Sequence, residues 1–251
     1  MKALYKALLL AAAATSLFAL ASCSDDDDEV NESTDYGAAV AIAKIKASSE
    51  TYAGVSDFYS LTFDDFSNET NDPIILREED ANGNYTYSIA SADTVTSDCF
   101  SQVGIVKAKD VALWSSEKSG IRTSFNDKTK KFKKLVANHR WISELPTSGT
   151  IDLRLVKDFI AVKASGAGTV SASVTNYSIT VDTGVAALVD STGKILDAVT
   201  LTAKSDTVTP TAQTLSASVS SSGVYMLIIS KNESGGGTVN INSFTFSESR
   251  N

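Results

Sequence analysis

Few side chains in this 251-residue sequence could perform acid–base or nucleophilic chemistry. The single histidine is His139, in "LVANHRWISEL", and a Ser-His-Asp arrangement needs it beside an activated hydroxyl and an orienting acid. No Gly-x-Ser-x-Gly elbow is present, and the serines fall at alternating positions or in turns. Cys99, in "SDCFSQVGIV", reads as a small buried residue, and one histidine with one free thiol is too few N and S ligands for zinc. Carboxylate pairs for glycoside hydrolysis could come from Asp64, Asp65, Glu78, Glu79 or Asp80, which read as solvated turn residues. No catalytic residue is assigned.

A cation is easier to place. "EEDANGN" offers Asp80, Asn82 and Asn84 at alternate positions, the hard oxygen donors that calcium takes. The glycine falls two places early for an EF-hand and no glutamate closes the loop, so the hairpin turn that Asn82-Gly83 favours explains these residues as well. The remaining candidates are aromatic. Trp114 ("VALWSSEKSG") and Trp141 ("NHRWIS") are the two tryptophans. An exposed indole face can pack on the CH face of a sugar ring while amide and charged groups fix its hydroxyls. With Asn138, His139 and Arg140 beside it, Trp141 marks the expected binding surface. Trp141, Trp114, Asn138 and Arg140 form the candidate ligand set, and core filling is the competing role for both rings.

The elements that must position these residues read as strands. "FYSLTFDDF" alternates Tyr59, Leu61 and Phe63 against Ser60, Thr62 and Asp64, which predicts a half-buried strand. "DPIILREEDANGNYTYSI" predicts a hairpin around Asn82-Gly83. "TIDLRLVKDFIAVKA" alternates Ile151, Leu153 and Leu155, then Ile160 and Val162. "GAGTVSASV" aligns Val170, Ala172 and Val174, and "NYSITV" aligns Tyr177, Ile179 and Val181. "VAALVDSTGKILDAVTLTA", "TLSASVSSSGVYMLIISK" and "GGGTVNINSFTF" continue the pattern. Serine and threonine fill the outward positions, as in extended chain with one wet face. The predicted class is all-β, an antiparallel β-sandwich, jelly-roll-like. "GAAVAIAKIKASS" fits a strand or a short helix. "DKTKKFKKLVANHR" reads as an edge strand that its lysines keep from pairing, with a patch for acidic glycans as the alternative.

Residues 1–22 have a positive start at Lys2 and Lys6, an apolar run from Ala7 to Leu20 and small residues at the end, the layout of a secretory leader. Leu20-Ala21-Ser22-Cys23 resembles the lipobox of bacterial lipoproteins. That likeness implies cleavage before Cys23, acylation of Cys23 and anchoring in the outer membrane. Cys23-Ser24 followed by Asp25–Glu29 resembles the export signal of surface lipoproteins of the Bacteroidetes and implies an outward-facing protein. Adjacent carboxylates repel and stay hydrated, so residues 23–50 are expected to be a lipidated, acidic tether and residues 51–251 a single domain.

The formal charge is −8, and removal of residues 1–22 takes away two lysines and no acid, leaving about −10. Nucleic acid is excluded as a partner, because backbone binding needs clustered positive charge. "DLRLVKDFIAVKASGAGTVSASV", "ALVDSTGKIL" and "GVYMLIISKNESGGGTVNINSFTF", with "FYSLTFDDF" ahead of them, are similar to β-sandwich modules attached to pectate lyases and related polysaccharide-degrading lipoproteins. The likeness runs from Phe58 to Phe246 and implies polysaccharide binding without cleavage; no cofactor is expected beyond the calcium that Asp80, Asn82 and Asn84 could take. A structural or adhesive surface lipoprotein with no sugar site is the alternative.

Overall fold

The computed structural model describes residues 37–62, 65–67, 75–79, 85–89, 92–95, 104–116, 121–126, 131–137, 140–177, 184–202, 209–231 and 238–249. Residues 36–251 make one compact unit. Its body is two antiparallel sheets, as the alternation predicts. Sheet A runs β13 (Ile195–Thr200), β12 (Val185–Asp190), β15 (Gly223–Ser230), β10 (Asp158–Ala164), β7 (Val111–Ser115), β6 (Gly104–Ala108) and β2 (Phe66–Ser67). Sheet B runs β14 (Ala212–Val219), β11 (Gly168–Asn176), β16 (Val239–Glu248), β9 (Lys131–Ala137) and β8 (Ile121–Asn126), with β1 (Gly54–Val55) also paired to β16. A small third sheet holds β3 (Ile75–Glu79), β4 (Tyr85–Ile89) and β5 (Ala92–Val95). From β10 onward the chain crosses repeatedly between sheets A and B, and one apolar cluster fills the space between them.

The middle of sheet A, from β12 to β7, is buried on both faces. Every position of β7 is buried, and β10, β12 and β15 are buried almost throughout, whereas β11 and β14 alternate. The second cover of sheet A is a helix, α1 (Ala38–Ala47), packed over β7, β10 and β15. Alanine-rich sequence favours the helix, and Ala38, Ala41, Ile42 and Ile45 form a buried stripe at helical spacing. Lys44 and Lys46 in the last turn complement the helix dipole. Burying one isoleucine side chain is worth roughly 1.5–3 kcal/mol, so Ile42 and Ile45 hold the helix down. The ambiguous "GAAVAIAKIKASS" is thus a helix, and the domain begins well before residue 51; only the part of the 23–50 stretch ahead of α1 lies outside the described residues.

Three further expectations are corrected. The start of "FYSLTFDDF" is not a strand: Asp57 accepts the Tyr59 N–H at 2.9 Å and caps a 3-10 turn, Phe58–Ser60. Phe58 and Leu61 then point into the core and Tyr59 outward, while Phe63 and Asp64 lie outside the described residues. Ile151–Leu155 is a loop with a 3-10 turn at Leu153–Leu155, because Asp152 accepts the Arg154 N–H and leaves Leu155 56% exposed. Strand β9 is not an edge over Leu135–Ala137, which pair with β16 on one side and β8 on the other, whereas its lysine-bearing start, residues 131–134, pairs with β8 alone.

The two ends of the sandwich differ. One carries tight turns, such as Asp190–Lys194, where Asp190 accepts the Thr192 and Lys194 N–H groups at 2.8 and 3.1 Å. Gly193 there has φ +88°, and a Cβ would sit 2.4 Å from the Ile151 carbonyl oxygen. At the opposite end lie the buried polar residues found among the described residues: Ser115, Asp158, Thr175, Asn176, Lys231 and Asn240. Register places them together, with Asp158 opposite Ser115 and Thr175 opposite Asn240.

Candidate functional site

The tryptophans do not form a surface. Side chains alternate along a strand, so Phe159, Ala161 and Lys163 share one face of β10. The Lys163 ammonium donates to the Ser48 carbonyl at the end of α1, which identifies that face as the helix side. Trp114 lies opposite Phe159 and Ile105 in register and stacks on Phe159 with centroids 5.2 Å apart and planes at 28°. It is 1% exposed, beneath the helix. Trp141 is 0% exposed; its N–H donates to the Ile229 carbonyl at 2.9 Å and its carbonyl accepts the Lys157 N–H at 2.7 Å. Both rings fill core, so neither can stack on a sugar. Arg140 Nε donates to the Lys231 carbonyl at 3.2 Å, which ties the chain after β9 to the end of β15. Burial lowers the pKa of Lys231. Asn138 and His139 lie outside the described residues, as do Cys23 and Cys99.

The calcium candidates Asp80, Asn82 and Asn84 also lie outside them. Strands β3 and β4, on either side of them, pair, with Glu79 opposite Tyr85. Among the described residues, no group of three or more His, Cys, Asp or Glu could hold a metal ion.

A different constellation occupies the outer face of sheet B. Tyr59 and Tyr177 are 39% and 43% exposed, and they are the exposed aromatic side chains among the described residues. The capped turn at Asp57 directs Tyr59 over β16. Its hydroxyl donates to Asn242 Oδ1 at 3.1 Å and accepts from Asn240 Nδ2 at 3.4 Å. Asn242 sits where the β11–β16 register shifts, an irregularity that re-aims one side chain. Its Nδ2 donates to Ser173 Oγ at 3.2 Å and Thr175 Oγ1 at 2.9 Å. Thr238 Oγ1 donates to Asn240 Oδ1 at 3.3 Å, and the Tyr177 N–H donates to the Thr238 carbonyl at 2.9 Å. The result is a connected polar strip, Tyr177–Thr238–Asn240–Tyr59–Asn242, which Tyr177 joins through its backbone N–H and in which no member is charged.

Such a strip suits a ligand with apolar ring faces and many hydroxyls. Tyrosine offers a flat apolar body with a polar tip, and amides and hydroxyls both donate and accept. Its described members are neutral amides and hydroxyls, groups that bind and orient a polar ligand. Sequence reading missed it because Tyr59 was paired with inward Leu61 and Tyr177 with Ile179 and Val181. Counting by two from Ser171 through Ser173 and Thr175 places Tyr177 outward, which is the available signal.

The fold defines the chain as an antiparallel β-sandwich with one helix-covered sheet. No family model matches it, and no curated protein sequence does either. Solved structures are similar in fold at low identity. The K1 cleaved adhesin domain of Lys-gingipain from Porphyromonas gingivalis W83 has 9% identity and a TM-score of 0.38, covering 61% of this chain and 98% of that one. A β-1,3-glucan-binding family 6 carbohydrate-binding module from Bacillus halodurans has 16% identity and a TM-score of 0.31, covering 51% and 85%. The C-terminal family 6 module of a marine laminarinase from Zobellia galactanivorans has 10% identity and a TM-score of 0.32, covering 51% and 89%. At these values no residue or ligand is carried across.

Proposed function

We propose that this domain is a non-catalytic glycan-binding module, held at the outer membrane by acyl chains on Cys23 and facing the cell exterior. The observation that carries the binding role is the Tyr59–Tyr177 strip: two exposed tyrosines beside a neutral row of amides and hydroxyls, Tyr59 bonded to it through its hydroxyl and Tyr177 through its backbone N–H. The anchoring role rests on Leu20–Cys23 and the acidic run behind it. Several acyl chains hold a protein stably where one holds it marginally. The one described carboxylate that touches the strip, Asp57, is engaged in capping the Tyr59 backbone N–H, which favours capture over cleavage.

Isothermal titration against a panel of oligosaccharides tests the binding role. Tyr177→Ala and Tyr59→Ala change exposed rings, so stability should move by no more than about 0.5 kcal/mol for Tyr177. Each should weaken glycan binding several-fold, and the double substitution should abolish it. Glycan binding that both variants retain in full would show that the strip is not the site. Radiolabelled palmitate incorporation, lost on Cys23→Ala, tests the anchor separately.

A further inference from the structure

The outer face of sheet B continues the strip into a regular lattice. Register places Ser218, Thr169 and Ser247 in one row across β14, β11 and β16. The next row is Ser216, Ser171 and Thr245, and the third is Thr214, Ser173 and Ser243. All nine outward positions are serine or threonine, each exposed or half-buried, and none carries a charge in a chain whose residues are 21% charged. Ser171 Oγ and Ser216 Oγ lie 3.3 Å apart, so the hydroxyls of one row already meet. Ser173 belongs both to the third row and, through Asn242, to the tyrosine strip. From Thr169 to Tyr177 the face is about 26 Å long at the rise of an extended strand.

We propose that this face and the tyrosine strip form one continuous track for a neutral polysaccharide chain, several sugar units long, lying along β11. The inference rests on the glycan-binding reading of the tyrosine strip and names its substrate class. Each hydroxyl both donates and accepts, which matches the mixed donor and acceptor edge of a sugar chain. An uncharged face on a protein of net charge −8 offers an acidic glycan no ion pair and a repulsive field. A neutral chain meets neither obstacle, and hydrogen bonds along the whole track make affinity grow with chain length.

The test uses mixed-linkage β-glucan, xylan and mannan as trisaccharide, hexasaccharide and polymer, with polygalacturonate as the polyanion. At least one neutral series should bind more than ten-fold tighter as hexasaccharide than as trisaccharide, with less than a two-fold change between 50 and 500 mM salt. The combined Ser218→Glu and Ser247→Glu variant, exposed and clear of the tyrosines, should lose ten-fold on the hexasaccharide and little on the trisaccharide, with an unchanged melting temperature. Equal affinity for short and long chains, or no loss in that variant, would overturn the track and leave the tyrosine site standing. Binding of no neutral glycan, or of polygalacturonate alone, would overturn both. A concentration-dependent dimer that the same variant dissolves would instead identify the face as a contact between copies.

Discussion

Sheets A and B are built from the same chain with the same hydrogen bonding, yet their outward faces have opposite chemistry. On sheet A the outward side of β10 and β7 is Phe159, Ala161, Trp114 and Ala112, sealed by α1. On sheet B the corresponding side of β11 and β14 is serine and threonine, open to solvent. Burial on two faces demands a continuous apolar run, such as "VYMLIIS", and burial on one demands alternation, such as "TVSASV". The lesson is that the aromatic-rich face of a sandwich is the structural one here. The hydroxyl-rich face, flanked by two tyrosines, is the one free to meet a partner.

The largest effect should come from uncovering sheet A. A chain that begins at Tyr36 should melt like the longer protein, while one that begins at Thr51 lacks α1, exposes Trp114 and Phe159, and should unfold or aggregate; differential scanning calorimetry and light scattering distinguish the two. Next come single outward positions. Phe159→Ala should cost about 3–5 kcal/mol in urea unfolding, whereas Ser171→Ala on sheet B should stay within about 0.5 kcal/mol. Similar costs at the two positions would mean that the faces are not different in kind.

A smaller effect is expected where the sheets meet. Asp197 on β13 accepts the Ser216 N–H of edge strand β14 at 2.7 Å, which occupies a backbone donor that would otherwise invite strand addition. Asp197→Ala should cost about 0.5–1.5 kcal/mol and should raise concentration-dependent association, read by light scattering. The smallest effect lies on the surface. The Arg154 guanidinium hydrogen-bonds Asp152 and lowers its pKa to about 2. The ionised form is therefore favoured in the folded state, so its contribution is present above the unfolded value of ~3.9 and is lost as pH falls towards about 2. Carboxyl NMR titration should show that low midpoint, and Arg154→Ala should return it towards the ordinary range.

Much of the sandwich could be read from the residues because alternation reports burial directly. Val170, Ala172 and Val174 are all inward, and the Ser-Thr-Gly turn joins β12 to β13 as expected. Two kinds of information were not local. A capped turn overrides alternation, since Asp57 and Asp152 satisfy backbone donors that a strand would pair elsewhere, and so Tyr59 and Leu155 turn outward. Cover by a distant element is also invisible: nothing near Trp114 says that Ile45, some 70 residues earlier in the sequence, packs over its face of the sheet. The polar neighbours of Trp141 pointed to a surface, but its backbone bonds to Ile229 and Lys157 seat the ring inside. The calcium and lipidation residues fall outside the described part of the chain.

The place where a sugar chain touches the protein decides whether the tyrosine strip binds it. In an amide-resolved NMR titration with neutral oligosaccharides, the Asn240 and Asn242 side-chain amides and the backbone amides of Tyr59 and Tyr177 should shift first and saturate together. Saturating shifts confined to the tight-turn end or to the surface of α1, with these four residues unmoved, would contradict binding by the strip.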